Sequence, residues 1–255
     1  MRIWLAVVLS LILVASCGRS SAPPAQGPGT IYPSFKDFDP TEWSGRRPES
    51  YAIHGIDISR WQDGIDWPRA RDAGISFAFI KATEGGDRVD PGFAGHWDGA
   101  ARAGVRRGAY HFFYFCRPAE EQARWFIQNV PREADALPPV LDMEWNHLSP
   151  TCKTRPPAAQ VQSEARKFIA ILARHYGKRP IIYTTPDFYE QTGIGAVDAT
   201  FWLRSVADHP TVVYPRQDWA FWQYTGTGEV PGISGKVDIN AFRGGPDDWA
   251  RFVRG

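Results

Sequence analysis

Residues Pro138 to Asn146 read PPVLDMEWN. Val140 and Leu141 have the character of a buried strand, and Trp145 adds further apolar surface. Between them stand Asp142 and Glu144, two residues apart. In a strand, residues i and i+2 project to the same side. The stretch therefore predicts two carboxylates side by side on the face of a strand that otherwise belongs in an interior. What surrounds that strand decides whether the pair is tolerable and what it is for.

Outward from this stretch, short apolar runs alternate with helix-like segments. IHGIDIS (53–59) predicts a first strand. A helix follows at DWPRARDAG (66–74), with Asp66 placed to cap it and Pro68 in its first turn. SFAFIKAT (76–83) predicts the second strand, and a helix over 91–103 ends at Gly104. RRGAYHFFYF (106–115) predicts the third, followed by the helix AEEQARWFIQNV (119–130). The Asp142–Glu144 strand is the fourth. A long helix over 158–176 ends at Gly177, and RPIIYTT (179–185) is the fifth strand. Beyond it the helices dwindle, and TFWLRSV, DWAFWQYT and KVDINAF read as three more strands. A β-α alternation of this kind implies a parallel sheet with helices outside. Eight strands predict a closed barrel whose last third is short of helices.

In a parallel barrel, reactive groups gather at the C-terminal ends of the strands. Those ends carry Asp57, then Lys81 and Glu84, then Tyr110 and His111, then Asp142 and Glu144. Further on come Tyr183, then Trp222, Gln223 and Tyr224, and finally Asp238 and Asn240. Neighbouring carboxylates in a half-buried cleft cannot all ionise, so at least one keeps its proton. A protonated acid beside ionised ones suits cleavage of a glycosidic bond. Clustered carboxylates also bind Mg²⁺ or Ca²⁺, and Asp57 or Asp238 taken singly fits a cap or a loop brace. Asp-x-Glu alone does not separate these readings. Tyr110 is expected to line the cleft. Tyr183 and Trp222 are candidate stacking platforms, with core packing the alternative for each. Lys81 and Glu84 fit an ion pair at the mouth or a contact with substrate, and Gln223 joins the binding set. His111, directly after Tyr110, is expected on the opposite face as a packed or bracing residue.

The N-terminus begins MRIWLAVVLSLILVASCGRSS. One Arg precedes an apolar run too short for a typical membrane span, which reads as a signal peptide over residues 1–16. VASC, Val14 to Cys17, resembles a bacterial lipobox, which makes Cys17 the expected lipidation site and the protein a lipid-anchored one of the bacterial envelope. Gly18 rather than Asp follows, which by resemblance to lipoprotein sorting favours the outer membrane. Residues 17–50, rich in Pro, Gly and Ser, are expected to form a flexible tether that docks near Phe35–Trp43, ahead of a domain over 51–255. Lys and Arg total 29 against 28 Asp and Glu. Removal of the signal peptide takes away one Arg and leaves formal balance. No basic block points to nucleic acid, and no phosphate-binding Gly-rich loop is present. With Cys17 set aside, Cys116 and Cys152 remain as a candidate disulfide in an exported chain. Neither CxxC nor HExxH occurs, so no metal or other cofactor is expected.

In order, HGIDISRWQDGIDW, FAFIKATEGGDRVDPGFAGHWDGAARAG, RRGAYHFFYF, PPVLDMEW, RPIIYTT and FWQYTGTGEVPGISGKVDINAF resemble the family 25 glycoside hydrolases, the Chalaropsis-type lysozymes. The resemblance spans about Ile53 to Phe242. It implies an α/β fold, a modified TIM-like barrel of eight strands with about five helices. It also implies N-acetylmuramidase activity on the glycan strands of peptidoglycan, by a monomer. Glu144 matches the family's general acid and Asp142 its partner carboxylate, while Asp57 and Asp238 match the two other active-site acids. A non-catalytic peptidoglycan-binding lipoprotein would be expected to have lost one of the four acids. A glycosidase acting on another N-acetylated glycan would keep all four and differ in its cleft loops, above all in NHLSPTCKTRPP (146–157).

Overall fold

The computed structural model describes residues 33–254; the expected signal segment 1–16 and Cys17 lie outside the described residues. Eight strands form the barrel: β1 (Ile53–Ile58), β2 (Ile75–Glu84), β3 (Arg106–Phe112), β4 (Val140–Met143), β5 (Ile181–Thr184), β6 (Thr200–Arg204), β7 (Phe221–Glu229) and β8 (Val237–Phe242). They pair in chain order, and β8 pairs with β1 to close the ring. Two-residue strands at Lys36–Asp37 and Arg88–Val89 add to the outer reaches of β7 and β2.

Seven α-helices surround this ring among the described residues. Five connect successive strands: α1 (Trp67–Asp72), α2 (Phe93–Ala103), α3 (Ala119–Asn129), α4 (Ala158–Tyr176) and α5 (Pro186–Thr192). Their ends are set locally. Asp66 Oδ1 accepts from the Arg69 amide to start α1, as N-cap chemistry requires. Gly177 ends α4 at φ 71°, a left-handed conformation that costs glycine little. The four-residue α6 (Pro210–Val213) lies between β6 and β7, and α7 (Pro246–Phe252) follows the barrel.

One strand departs from the expected parallel order. β8 runs antiparallel to both β7 and β1. The reason is chain length: only residues 230–236 separate β7 from β8, whereas a parallel return needs a crossover of about a dozen residues or more. The consequence falls on the acids. The mouth of the barrel meets the C-terminal ends of β1 to β7 but the N-terminal end of β8. Asp238, the second residue of β8, therefore pairs in register with Asp57 near the end of β1.

Two apolar cores result. The outer one lies between strands and helices and includes Leu141, Met143, Phe126 and Phe168. The inner one fills the barrel with Ile53, Phe77, Phe79, Val140, Ile181, Trp202, Phe221 and Phe242. Gly55 belongs to the inner face because a Cβ there would stand 2.4 Å from the Phe77 ring.

No helix joins β7 to β8, so the outer face of β7 needs another cover. Residues 34–51 supply it. Trp43 packs edge-on against Trp222 with ring centroids 5.0 Å apart, and Phe35 meets His54 at 5.8 Å. Ser34 N donates to Ala73 O, and Thr41 Oγ1 to Val206 O. This placement corrects the reading of Trp222 as a sugar platform. On β7, Phe221 and Gln223 point inward, and Trp222 and Tyr224 therefore point outward. Trp222 is 0% exposed, and its indole N–H donates to Ser205 O at 2.7 Å. Trp222→Ala should cost about 3–5 kcal/mol of stability in urea unfolding. A loss below about 1 kcal/mol would contradict its place in this outer core.

Candidate active site

Inward-facing side chains become polar toward the mouth. Along β1 they run Ile53, Gly55, Asp57; along β4, Val140, Asp142; along β5, Ile181, Tyr183; along β6, Trp202, Arg204. The aromatic layer below thus forms the floor on which the acids stand. This accounts for Asp142 on the fourth strand, which ends at Met143, so that Glu144 follows just beyond it at the mouth. Asp142 faces inward above Val140, while Leu141 and Met143 face the helices.

Asp57 is 9% exposed and held by two amides. Its Oδ2 accepts from Gln223 Nε2 at 2.9 Å and from Asn240 Nδ2 at 2.8 Å. Both amides are themselves oriented. The Trp202 indole N–H, which can only donate, gives to Asn240 Oδ1 at 2.7 Å. The Tyr183 hydroxyl gives to Gln223 Oε1 at 2.9 Å. The network therefore presents Asp57 with donors only, which favours its ionised form. Burial pushes its pKa up to about 6, against these two hydrogen bonds.

The other three acids are also raised. Burial, aided by the charge of Glu144, pushes Asp142 well above the usual carboxylate range. Asp142 Oδ1 is buried with no hydrogen-bond partner among the described residues. Burial takes Glu144 to about 7, with Arg204 opposing and Asp187 and Asp57 assisting. Burial takes Asp238 to about 8, assisted by Asp57. The cluster thus holds protons at neutral pH while Asp57 is the member best equipped to lose one.

Lys81 and Glu84 come together through a bulge. Lys81 pairs with Tyr110 and Thr83 with His111, so β2 has one residue more than β3 between these points. The extra residue, Ala82, reverses the alternation and puts both charged side chains on the mouth side. Lys81 Nζ lies 2.5 Å from Glu84 Oε2. Burial works against the Glu84 charge, but Lys81, the Tyr114 hydroxyl and Arg88 together outweigh it and lower the pKa. Thr83 is turned outward, where its Oγ1 lies 2.7 Å from His111 Nδ1. His111 is fully buried, 3.1 Å from Gln122 Oε1 and stacked on Phe168. It is a brace between sheet and helices, as its place after Tyr110 predicts.

Tyr110 is half-buried on the inner face, and burial together with Asp57, Asp142 and Asp238 raises its pKa well above the ordinary value. Tyr183 is 7% exposed, with its ring against Trp202 at 4.5 Å. It supports the Asp57 network from below and offers little ring face to the mouth. Cys116 and Cys152 form a disulfide, Cα atoms 5.8 Å apart, which ties the loop after β3 to the loop after β4. Leu148 on the latter loop is 94% exposed. Among the described residues no group of three or more His, Cys, Asp or Glu is arranged to hold a metal ion.

Sequence reasoning missed Arg204. It closes β6 two residues after the inward-facing Trp202, which places it at the mouth by the same alternation that identified the acids.

The profile of the glycosyl hydrolases of family 25 matches residues 56–233. Lysozyme M1 of Streptomyces globisporus is 34% identical, over 93% of this chain and 87% of that protein. YegX of Escherichia coli K12, described as uncharacterized, is 38% identical over 89% of this chain and 83% of its own length. The solved structure of a family 25 glycosyl hydrolase from Bacillus anthracis superposes with a TM-score of 0.75 at 37% identity, covering 81% of this chain and 96% of that one. This chain belongs to glycosyl hydrolase family 25.

The raised acids make stability depend on pH. A carboxyl whose folded pKa exceeds its unfolded value binds protons more tightly in the native state. Its stabilisation is complete below the unfolded pKa and is lost as pH rises through the folded one. For Asp57, Glu144 and Asp238 that window runs from the ordinary values of 3.8 and 4.5 up to about 6, 7 and 8. The melting temperature should therefore fall between pH 4 and pH 8. Asp142→Asn should melt above wild type at pH 8, and the gap should close toward pH 4. Scanning calorimetry across this range tests it, and a wild-type curve that rises with pH would contradict the burial of these acids.

Proposed function

We propose that this chain is an N-acetylmuramidase of the Chalaropsis type, which hydrolyses the β-1,4 bond between N-acetylmuramic acid and N-acetylglucosamine in peptidoglycan. The observation that carries the reading is the division of labour at the mouth. The Asp57 carboxylate is held by two amide donors, whereas the Glu144 carboxyl, raised to about 7 by burial, has no such donor among the described residues. Two carboxyls with separated pKa values are what acid-assisted glycoside cleavage requires. Relatives named Lysozyme M1 and N,O-diacetylmuramidase support the choice of glycan.

Glu144 gives its proton to the glycosidic oxygen as the bond to the anomeric carbon breaks. The substrate's own acetamido oxygen attacks that carbon from the other face, an internal nucleophile held in place. Asp142, whose Oδ1 has no hydrogen-bond partner among the described residues, orients the acetamido group. Ionised Asp57 stabilises the positive charge that develops on the sugar. Water then attacks the anomeric carbon and displaces the acetamido oxygen, and the proton that this water loses goes back to Glu144. Asp238 keeps its proton beside Asp57, while Tyr110, Lys81 and Glu84 shape the cleft wall. Gln223 and Tyr183 act by holding Asp57.

Cys17 carries the lipid, and residues 18–33 lead from it to the packed segment that begins at Ser34. The lipobox-like VASC supports this reading. The enzyme then works as a monomer on the envelope, most simply at the outer membrane, because one chain supplies all four acids. A tether raises the local concentration of the enzyme at the wall, so little intrinsic affinity is needed.

Glu144→Gln should abolish release of reducing ends from purified peptidoglycan while its circular dichroism stays native. Asp142→Asn should lower kcat by roughly 10²–10⁴-fold. Because Asp57 must be ionised and Glu144 protonated, kcat/KM should rise through about pH 6 and fall above about pH 7. Full activity in Glu144→Gln, measured by reducing-sugar assay, would refute the assignment.

A further inference from the structure

The four acids face two cations, Lys81 and Arg204. Lys81 is already engaged by Glu84, which Arg88 also approaches at 3.6 Å. Arg204 is not engaged: among the described residues its guanidinium makes no ion pair and no hydrogen bond, although it is half-buried. Its backbone is fixed, since Arg204 O accepts from the Tyr214 hydroxyl at 2.6 Å. Its register partner on β7 is Gln223, the residue that holds Asp57. A guanidinium cannot shed its charge in a protein. Placed at the end of an inward-facing row, it therefore adds a permanent positive charge to the mouth.

We propose that Arg204 is a positioning residue for the reaction: its unpaired guanidinium balances the charge of Asp57, Glu144 and Asp238 and so sets the pH range in which one is ionised and another still protonated. The inference rests on the muramidase reading above. Its charge acts on Asp57 from β1, Glu144 after β4, Tyr183 from β5, Tyr214 after α6 and Asp238 from β8, and Asp187 from α5 acts in turn on Glu144 and Tyr214. Arg204 opposes the burial of Asp57, Glu144 and Asp238 alike. For Asp57 and Asp238 it is the cation that does so. An ion pair with any single acid would have spent this charge on one member, whereas a guanidinium left without a direct partner acts on several.

The sign of the effect follows. Removing a positive charge disfavours the ionised form of each acid, so every pKa moves up. In Arg204→Met, both limbs of the kcat/KM profile on soluble peptidoglycan fragments should shift to higher pH, by about 1 unit. Arg204→Lys, which keeps the charge, should restore the wild-type profile. The same shift should appear in the ¹³C-carboxyl NMR titration of Glu144, which needs no turnover and can be read in an inactive variant. Active Arg204→Met with unmoved limbs and a raised KM would make Arg204 a substrate contact and overturn the proposal. An unshifted Glu144 titration would overturn it too. Neither result would touch the muramidase reading, which fails if wild-type enzyme leaves peptidoglycan intact or cuts it without freeing reducing ends at N-acetylmuramic acid.

Discussion

The molecule turns on the cost of placing four carboxyls at the top of a closed, aromatic-filled barrel. Below them Phe79, Trp202 and Tyr183 exclude water from the interior. A buried ionised carboxylate is expensive, and a group in that position takes up a proton or finds donors instead. This chain does both. Asp57 has donors from Gln223 and Asn240, while Asp142, Glu144 and Asp238 are driven toward the protonated form. Acid and base at one mouth thus arise from a single cause, burial, applied unequally.

The inequality is built into the floor. Trp202 and Tyr183 are core residues by burial, yet each uses its polar atom to orient an amide toward Asp57. Turning Asn240 would set its oxygen against the carboxylate and leave the indole N–H unpaired, and turning Gln223 would set oxygen against oxygen, both costly at this depth. Packing and electrostatics are therefore the same residues in two capacities. A substitution in the aromatic floor acts on the chemistry above it without touching substrate.

Much of this was legible before the fold was known. The alternation of short apolar runs with helices, capped by Asp66 and ended by Gly104 and Gly177, gave the barrel. Strand-end polarity and the family resemblance picked out Asp57, Asp142, Glu144 and Asp238. Three features were harder. The direction of β8 follows from the short 230–236 connection, a signal present in the sequence but outweighed by the assumption of uniform β-α alternation. The face of Trp222 is not legible from composition, which marks an aromatic at a strand end without saying which side it takes; the inward neighbours Phe221 and Gln223 decide it. The bulge at Ala82, which brings Lys81 and Glu84 together, leaves no mark in a period-two pattern. Arg204 was readable from its spacing to Trp202 but stood among strands judged mainly for their acids and aromatics.

The helix-poor side of the barrel also has a consequence for the N-terminal segment. Residues 34–51 stand in for the missing helix over β7, with Trp43 and Tyr51 against Trp222. What composition marks as linker lies, from Ser34 onward, against the barrel and packs on the outer core through Phe35 and Trp43. The central claim is that the acid cluster cuts peptidoglycan on one particular side of each disaccharide. Mass spectrometry of borohydride-reduced products from purified peptidoglycan tests it most directly. The expected product carries reduced N-acetylmuramic acid at the new ends. Reduced N-acetylglucosamine, or 1,6-anhydro ends that resist reduction, would contradict it.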